Sequence, residues 1–568
     1  MDKRLKKITV YDLFPLVAIC IFIISFWNTN SLIKVLPDEY GYWAAGDWLS
    51  GGKWNALSST IYYYGIGYGF ILSGLLKLTF SAEISYHLAI IINGAMIYLM
   101  FWLYKVVLCR LGFGSTDSSI WAGCLAYMSA NMYYLSFTLC EIMLAFVYAL
   151  TVFFCWKYLS TTKDVFAYLA LGLSIILVMI HMRTIGIAFY TLICMLFFSK
   201  KNKRLMVGLL VEFLLLLFCF VLLKGSYQNS HIIMLNQIAP EGVVDGNDVN
   251  HNLKKVIFLF SKTGITNFFL LLLGHMYYSF SASFCLLLSC LFLGLKALTT
   301  RMKEISKSYS IDDKMLFYTI GGFVAALLVS CLFSVDVDIT DRFDMLTYSR
   351  YYEFCIAPAV IWGLDRIIKY NHQYKLFFMN SAVFCIMGML THYAQTYETN
   401  RNMMFLQCYL TKFYESVFPA YRNSFLLAET LVTLCVAFIC ALFLTIRRNA
   451  IVPFLLSIIY LCASFSVYYE WNNSWGSKYE NEIKDCVRYL YESGTDSKIL
   501  TIADTTLTYI YGVQFLLKDQ SIEIVSDIND VSNEINPKII VAHDELKNEL
   551  VEEKYNRTFS GRVDVWER

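Results

Sequence analysis

Two adjacent carboxylates, Asp38 and Glu39, stand about ten residues beyond the first apolar run, in Leu36-Pro37-Asp38-Glu39-Tyr40-Gly41-Tyr42-Trp43. A carboxylate held beside apolar surface can take a proton from a hydroxyl or ligate a metal ion. The plainer reading is structural, with Pro37 stiffening the entry to a helix and Asp38 capping it. Tyr40, Trp43, Ala44 and Trp48 follow at helical spacing, which predicts an amphipathic helix along the membrane surface. Glu141, in Thr138-Leu139-Cys140-Glu141-Ile142, heads another apolar run. Acidic groups at membrane depth are costly and face a polar cavity or a partner. Glu212 and Glu429 fall under the same rule, Glu212 with a helix-pairing role.

The cations are as few. Arg183 closes an apolar run in His181-Met182-Arg183-Thr184 and suits a phosphate or carboxylate, with interfacial snorkelling as the alternative. Arg350 lies between tyrosines in Tyr348-Ser349-Arg350-Tyr351, placed for a lipid-linked phosphate at headgroup level. His275, in Gly274-His275-Met276-Tyr277, has the setting of a satisfied core histidine, with an intramembrane position that adds modestly to a functional role. Asp336-Val337-Asp338 matches the short DxD pattern of nucleotide-sugar enzymes, but the topology below turns it away from the cytoplasmic nucleotide pool. It is discounted, and no glycine-rich phosphate loop calls for a nucleotide cofactor.

The elements that must position these residues are membrane helices. Of 568 residues, 58% are hydrophobic and 16% charged, too few charges to cover a soluble globule of this size. A net charge of +2 gives no reason for a nucleic-acid partner. The 17 cysteines lie mostly in apolar runs, without a CxxC pair, and read as small buried residues. Apolar runs near 11–27, 84–108, 118–136, 138–158, 165–182, 184–199, 205–224, 266–295, 315–335, 353–368, 376–393, 424–446 and 451–470 predict about thirteen spans. The first follows Lys3-Arg4-Leu5-Lys6-Lys7 without a small-residue cleavage site, so an uncleaved helix is expected.

Alternating the spans from a cytoplasmic N-terminus puts 22 Lys and Arg into 76 inside residues, about three times the outside density. This requires that 61–80, rich in aromatics and glycine as in Tyr63-Tyr64-Gly65-Ile66-Gly67-Tyr68, does not cross. The large connections, 28–83, 225–265, 336–352, 394–423 and the tail from 471, then share the extracytoplasmic face. The domain division expected is a transmembrane domain over 1–470, with juxtamembrane helices in its 28–83 loop, and an extracytoplasmic α/β domain over 471–568. Strand candidates there are Lys498–Ala503, Ile522–Val525 and Lys538–Ala542.

In order and in shared side, four features match one superfamily: the Asp38-Glu39 pair after the first span, the aromatic 63–68 segment, Glu141 heading the fourth span, and Tyr348-Ser349-Arg350-Tyr351 before the tenth. Over roughly the first 370 residues the chain resembles polyprenol-phosphate-dependent GT-C glycosyltransferases, among them protein O-mannosyltransferases and lipid A aminoarabinose transferases. It departs where relatives often carry a Pro-Pro pair and Tyr64-Gly65-Ile66-Gly67 stands here, a difference that bears on acceptor or lipid contact.

The resemblance implies a plasma-membrane, multi-pass enzyme. It would move a sugar from a polyprenyl-phosphate donor to a lipid, glycan or protein acceptor on the extracytoplasmic face, inverting at C1. Asp38 would be the base, Glu39 would assist or position it, and Glu141 would orient the acceptor. Asp38 and Glu141 are also the candidate ligands of a divalent cation such as Mg or Mn. Arg183 and Arg350 would meet the leaving phosphate, so both must lie within reach of Asp38. Tyr40, Tyr64, His275, Tyr348 and Tyr351 complete the expected substrate contacts. A transporter or flippase would instead show midplane charge pairs and repeated broken helices, which this sequence lacks. A polymerase or ligase of lipid-linked glycans would centre on one large loop with arginine and histidine.

Overall fold

Without water to satisfy backbone N–H and C=O groups, an apolar run in a bilayer must become a helix, and in the computed structural model these runs do. The structure describes residues 9–61, 63–128, 130–238, 249–303, 310–337, 343–395, 413, 425–494, 497–503, 505–526, 528–531 and 537–568. Asp338, the basic run at 3–7 and most of the 394–423 connection lie outside the described residues.

The bundle opens with α1 (Leu13–Ser25), followed by three helices in the first connection: α2 (Asp38–Ser50), α3 (Asn55–Ser58) and α4 (Gly67–Leu78). Next come α5 (Ala82–Arg110), α6 (Ser115–Tyr127), α7 (Asn131–Tyr134), α8 (Glu141–Thr161), α9 (Asp164–Ile180), α10 (Ile185–Phe198) and α11 (Lys203–Ile238). The second half holds α12 (Val249–Leu259), α13 (Lys262–Ala282), α14 (Leu286–Lys303), α15 (Ile311–Phe333), α16 (Ile356–Lys369), α17 (Gln373–Gln395), α18 (Phe425–Thr445) and α19 (Ile451–Trp471). Among the described residues seven helices are long and apolar enough to cross a membrane, or eight if the pair bent by 95° at Leu259–Lys262 is one span. Other expected spans are carried by apolar helices of 10–17 residues, including Val10–Ser25, Asp164–Ile180 and Met182–Phe198. The expected 266–295 run is interrupted where Phe284 and Cys285 take positive φ (45° and 61°) between α13 and α14. Exposed Leu214, Leu215, Phe218, Val221 and Leu222 give α11 an apolar outer face suited to lipid.

In the 61–80 segment helix α4 has 12 residues, about 18 Å, and falls among the shorter apolar helices. It lies on α2, with Gly46 and Gly69 at the crossing. A Cβ on Gly69 would stand 3.0 Å from that of Ala45, so the small residues permit the approach.

At the tail, α19 runs through a π-helical turn (Asn472–Gly476) into α20 (Ser477–Glu492), so the composition change at 471 falls inside one helical run. The three strand candidates form β1 (Ile499–Ile502), β2 (Ile522–Val525) and β3 (Lys538–Ala542), which are parallel. Two further strands, β4 (Asn556–Phe559) and β5 (Val563–Glu567), pair antiparallel and complete the order β2-β1-β3-β5-β4. Helices α21 (Thr508–Leu516), α22 (Ile528–Val531) and α23 (Lys547–Glu552) connect them. Period-two alternation splits the sheet between two cores. Leu500, Ile502, Ile539, Val541 and Trp566 join Val531 and Leu550 in a small separate cluster. Ile499, Ile540, Val563 and Val565 instead belong to the same continuous core as the bundle.

Candidate active site

The first turn of α2 carries both acidic residues, where the helix dipole favours negative charge. Pro37 is the N-cap and no side chain caps the helix, so Asp38 is not the cap expected from the sequence. Its carboxylate turns outward. The Tyr64 hydroxyl donates to Asp38 Oδ1 at 2.8 Å, and Arg350 Nη1 donates to Oδ2. Tyr64 gains this place because its ring lies flush on Gly41, where a Cβ would collide with it. Gly65, at φ +131°, turns the chain against the Ile180 carbonyl, where only glycine fits.

Arg350 is the centre. Its Nε donates to Glu141 Oε1 while Nη1 holds Asp38, joining residues 209 and 312 positions away in the chain. The Arg350 and Glu141 side chains are buried, whereas that of Asp38 keeps 22% of its surface, so Asp38 is the open end of the triad. Burial pulls the Arg350 pKa down, but Glu141 and Asp38 outweigh it and hold the guanidinium charged. Glu141 Oε2 is buried without a hydrogen-bond partner, a free acceptor at the head of α8.

Arg183 joins the same site from the 3-10 turn Met182–Thr184 between α9 and α10. Its guanidinium lies 3.4 Å from the Tyr351 ring centroid, and its Nε and Nη1 are buried without a hydrogen-bond partner. The Tyr348 hydroxyl donates to that of Tyr351 at 2.5 Å. Arg183, Tyr351, Tyr348, Arg350, Asp38, Glu141 and Tyr64 therefore lie together, with Tyr348, Arg350 and Asp38 among the electrostatic neighbours of Arg183. Arg183 is a desolvated cation with unused donors, and Arg350 is already shared between carboxylates.

Glu39 faces the other way and is fully buried. Its Oε2 accepts from the Lys34 and Val35 amides at 2.7 and 2.8 Å. Its Oε1 accepts from Tyr86 OH, Thr138 N and Thr138 Oγ1 at 2.9, 2.6 and 2.8 Å. Trp43 Nε1 also donates to Thr138 Oγ1, at 2.8 Å, and Asn93 donates to the Phe137 carbonyl at 3.1 Å. Glu39 thus ties the turn before Asp38 to the linker before Glu141. It sets the spacing of the two site carboxylates and touches neither.

Two expected contacts fall elsewhere. Tyr40 is fully buried between Trp54 and Tyr511, with ring centroids 5.7 and 4.7 Å away, because the C-terminal unit covers α2. Trp43 packs on Phe515 for the same reason, so this stretch is an internal seam rather than a membrane-surface helix. Lys34 and Glu480, paired at 2.9 Å with almost no exposure, close the seam. His275 is also away from the triad. Its Nε2 lies 3.0 Å from the Met345 carbonyl and its Nδ1 3.4 Å from Cys331 Sγ, linking α13, α15 and the 343–347 turn. The sequence reading missed Tyr42, whose hydroxyl is 2.8 Å from Cys140 Sγ beside Glu141, although its place one turn from Asp38 was the available sign.

A divalent cation between Asp38 and Glu141 fits poorly, because Arg350 already supplies positive charge to both. The His543, Asp544 and Asp564 group in the tail has ligand atoms within 4.8 Å, but Arg557 already donates to both of those aspartates.

No protein-family model matches the chain, and no curated protein matches it. Solved structures do. ArnT from Cupriavidus metallidurans in the apo state superposes with a TM-score of 0.54 at 12% identity, covering 97% of each chain. The same protein bound to undecaprenyl phosphate gives 0.53 at 10% identity, again over 97% of each. The chain has the fold of ArnT. At this identity the likeness extends to the architecture, including the C-terminal unit.

Proposed function

We propose that this protein transfers a sugar from a polyprenyl-phosphate donor to a hydroxyl acceptor at the extracytoplasmic membrane face, with inversion at C1. The observation that carries this reading is the Asp38–Arg350–Glu141 triad, with Asp38 exposed at its end and the unpaired Arg183 beside it. The fold shared with a protein captured on undecaprenyl phosphate supports the donor class.

In this mechanism Asp38 accepts the acceptor's hydroxyl proton as that oxygen attacks C1. The C1–O bond to phosphate breaks, and polyprenyl phosphate leaves with the electron pair. Arg183 meets the charge developing on the phosphate, with Arg350 beside it, the fixed-cation assistance that lowers such barriers most. Tyr64 fixes one Asp38 oxygen, and the second is shared with Arg350. Arg350 supplies to Asp38 and Glu141 the positive charge that a divalent cation was expected to bring.

The excess of Lys and Arg in the connections assigned to the inside supports a cytoplasmic N-terminus. The C-terminal unit covers the triad-bearing α2 and so shares the site's extracytoplasmic side. Transfer from an undecaprenyl-phosphate sugar by purified protein, followed by release of undecaprenyl phosphate, tests the reading. Asp38→Asn is expected to abolish release, and full activity of that variant would overturn the assignment.

A further inference from the structure

The C-terminal sheet carries a groove that the transfer site does not use. Parallel order β2-β1-β3 means that the chain leaves β1 in one direction and returns past it to β3. Crevices at the carboxyl ends of such strands, where the order reverses, are where open α/β sheets hold ligands. Here that edge bears an open groove of about 580 Å³. Its walls include Thr506 after β1, Tyr509 on α21, His543 and Glu545 after β3, Arg562 before β5 and Glu482 from α20.

The charges of this groove select a ligand class. Thr506 N and Oγ1 donate to the two Glu545 oxygens at 2.8 and 2.5 Å, so a carboxylate of the chain itself takes the anion position ahead of α21. Arg562 Nε donates to Glu482 at 2.5 Å and Nη1 to the Tyr509 hydroxyl at 3.3 Å. His543 Nδ1 is 3.0 Å from Asp564. Among the described residues of the wall, the cationic or imidazole groups Arg562 and His543 each have an acidic partner, so the charge that a phosphate or nucleotide would need is already balanced. Two carboxylates with spare lone pairs, a guanidinium with spare N–H groups, a hydroxyl and a half-buried tyrosine ring remain. That set suits a ligand whose hydroxyls both donate and accept and whose C–H face lies on a ring.

We propose that the groove is a binding site for a neutral saccharide. Helix α21 joins it to the helix that carries Asp38, since Tyr511, two residues beyond Tyr509, stacks on Tyr40 of α2. On the transferase reading above, the groove holds the glycan portion of the acceptor while Asp38 receives its hydroxyl.

Saturation-transfer NMR on the full-length protein in nanodiscs tests this, with maltotriose, chitotriose and mannotriose as separate probes and inorganic phosphate as the anionic one. At least one trisaccharide is expected to bind in the millimolar range. That binding should weaken about tenfold or more, roughly 1.4 kcal/mol, in Tyr509→Ala and Glu545→Gln. Tyr509→Phe, which keeps the ring, should bind as the wild type does and reports against loss through misfolding. Asp38→Asn should also bind normally, so a failure of the transfer mechanism leaves this result standing. No trisaccharide binding at about 10 mM, equal binding by the groove variants, or phosphate binding lost in Glu545→Gln would each overturn the proposal.

Discussion

Asp38 and Glu39 are neighbours in the chain and stand in opposite surroundings. Asp38 faces an open rim with one tyrosine and one arginine, while Glu39 is sealed among five donors from three segments. Successive helical residues point about 100° apart, so one turn of α2 serves two regions. The rim leaves a carboxylate that a substrate can reach. The sealed side holds one in place through five hydrogen bonds. On the proposed mechanism the acidic pair is two devices, one for chemistry and one for spacing.

The largest expected effect is at the rim. Asp38→Asn should lower transfer by 10²–10⁴-fold, about the worth of a general base, while thermal unfolding changes little. Glu39→Ala should show the reverse signature. Stripping five buried donors of their acceptor is expected to cost about 3–5 kcal/mol, read as a lower Tm in detergent. If Glu39→Ala kept wild-type Tm and lost only activity, the division between the two would fail.

Asp47, farther along α2, sharpens the comparison through pH. Burial raises its pKa to about 6, with only partial relief from the Trp54 and Lys53 amides. A folded-state pKa above the unfolded value means that its stabilising contribution is complete below about pH 4. It is lost as pH rises through 6. Asp47→Asn should therefore unfold at higher temperature than wild type at pH 7, by up to about 3 kcal/mol, and the gap should close at pH 4. The smallest effect is expected from Arg183→Lys, which keeps the charge but gives up stacking on Tyr351. A loss of about tenfold in kcat/KM is predicted, and an unchanged value would remove Arg183 from the phosphate's path.

Much of the site was legible because charges are scarce in an apolar chain. Asp38, Glu141, Arg183 and Arg350 stand out against helices that could not otherwise tolerate them, and all four meet. Tyr40 and Trp43 misled for a related reason. Spacing identifies an apolar helix face but not what covers it, and here the cover is Tyr511 and Phe515 of α21, from the far end of the chain. The strands β4 and β5 also escaped the sequence reading. Asn556–Phe559 is exposed for three of its four residues and presents no apolar alternation.

The sequence by itself determined the membrane class, the apolar runs and the few polar residues left at one end of the bundle, because transfer energies act residue by residue. Only the tertiary structure decided that Arg350 holds Asp38 and Glu141 together, and that Glu39 fixes their spacing. It also decided that the tail continues the bundle's core. Those outcomes depend on which distant segments share a buried contact, and the energy of such a contact belongs to the pair of segments, not to either one alone.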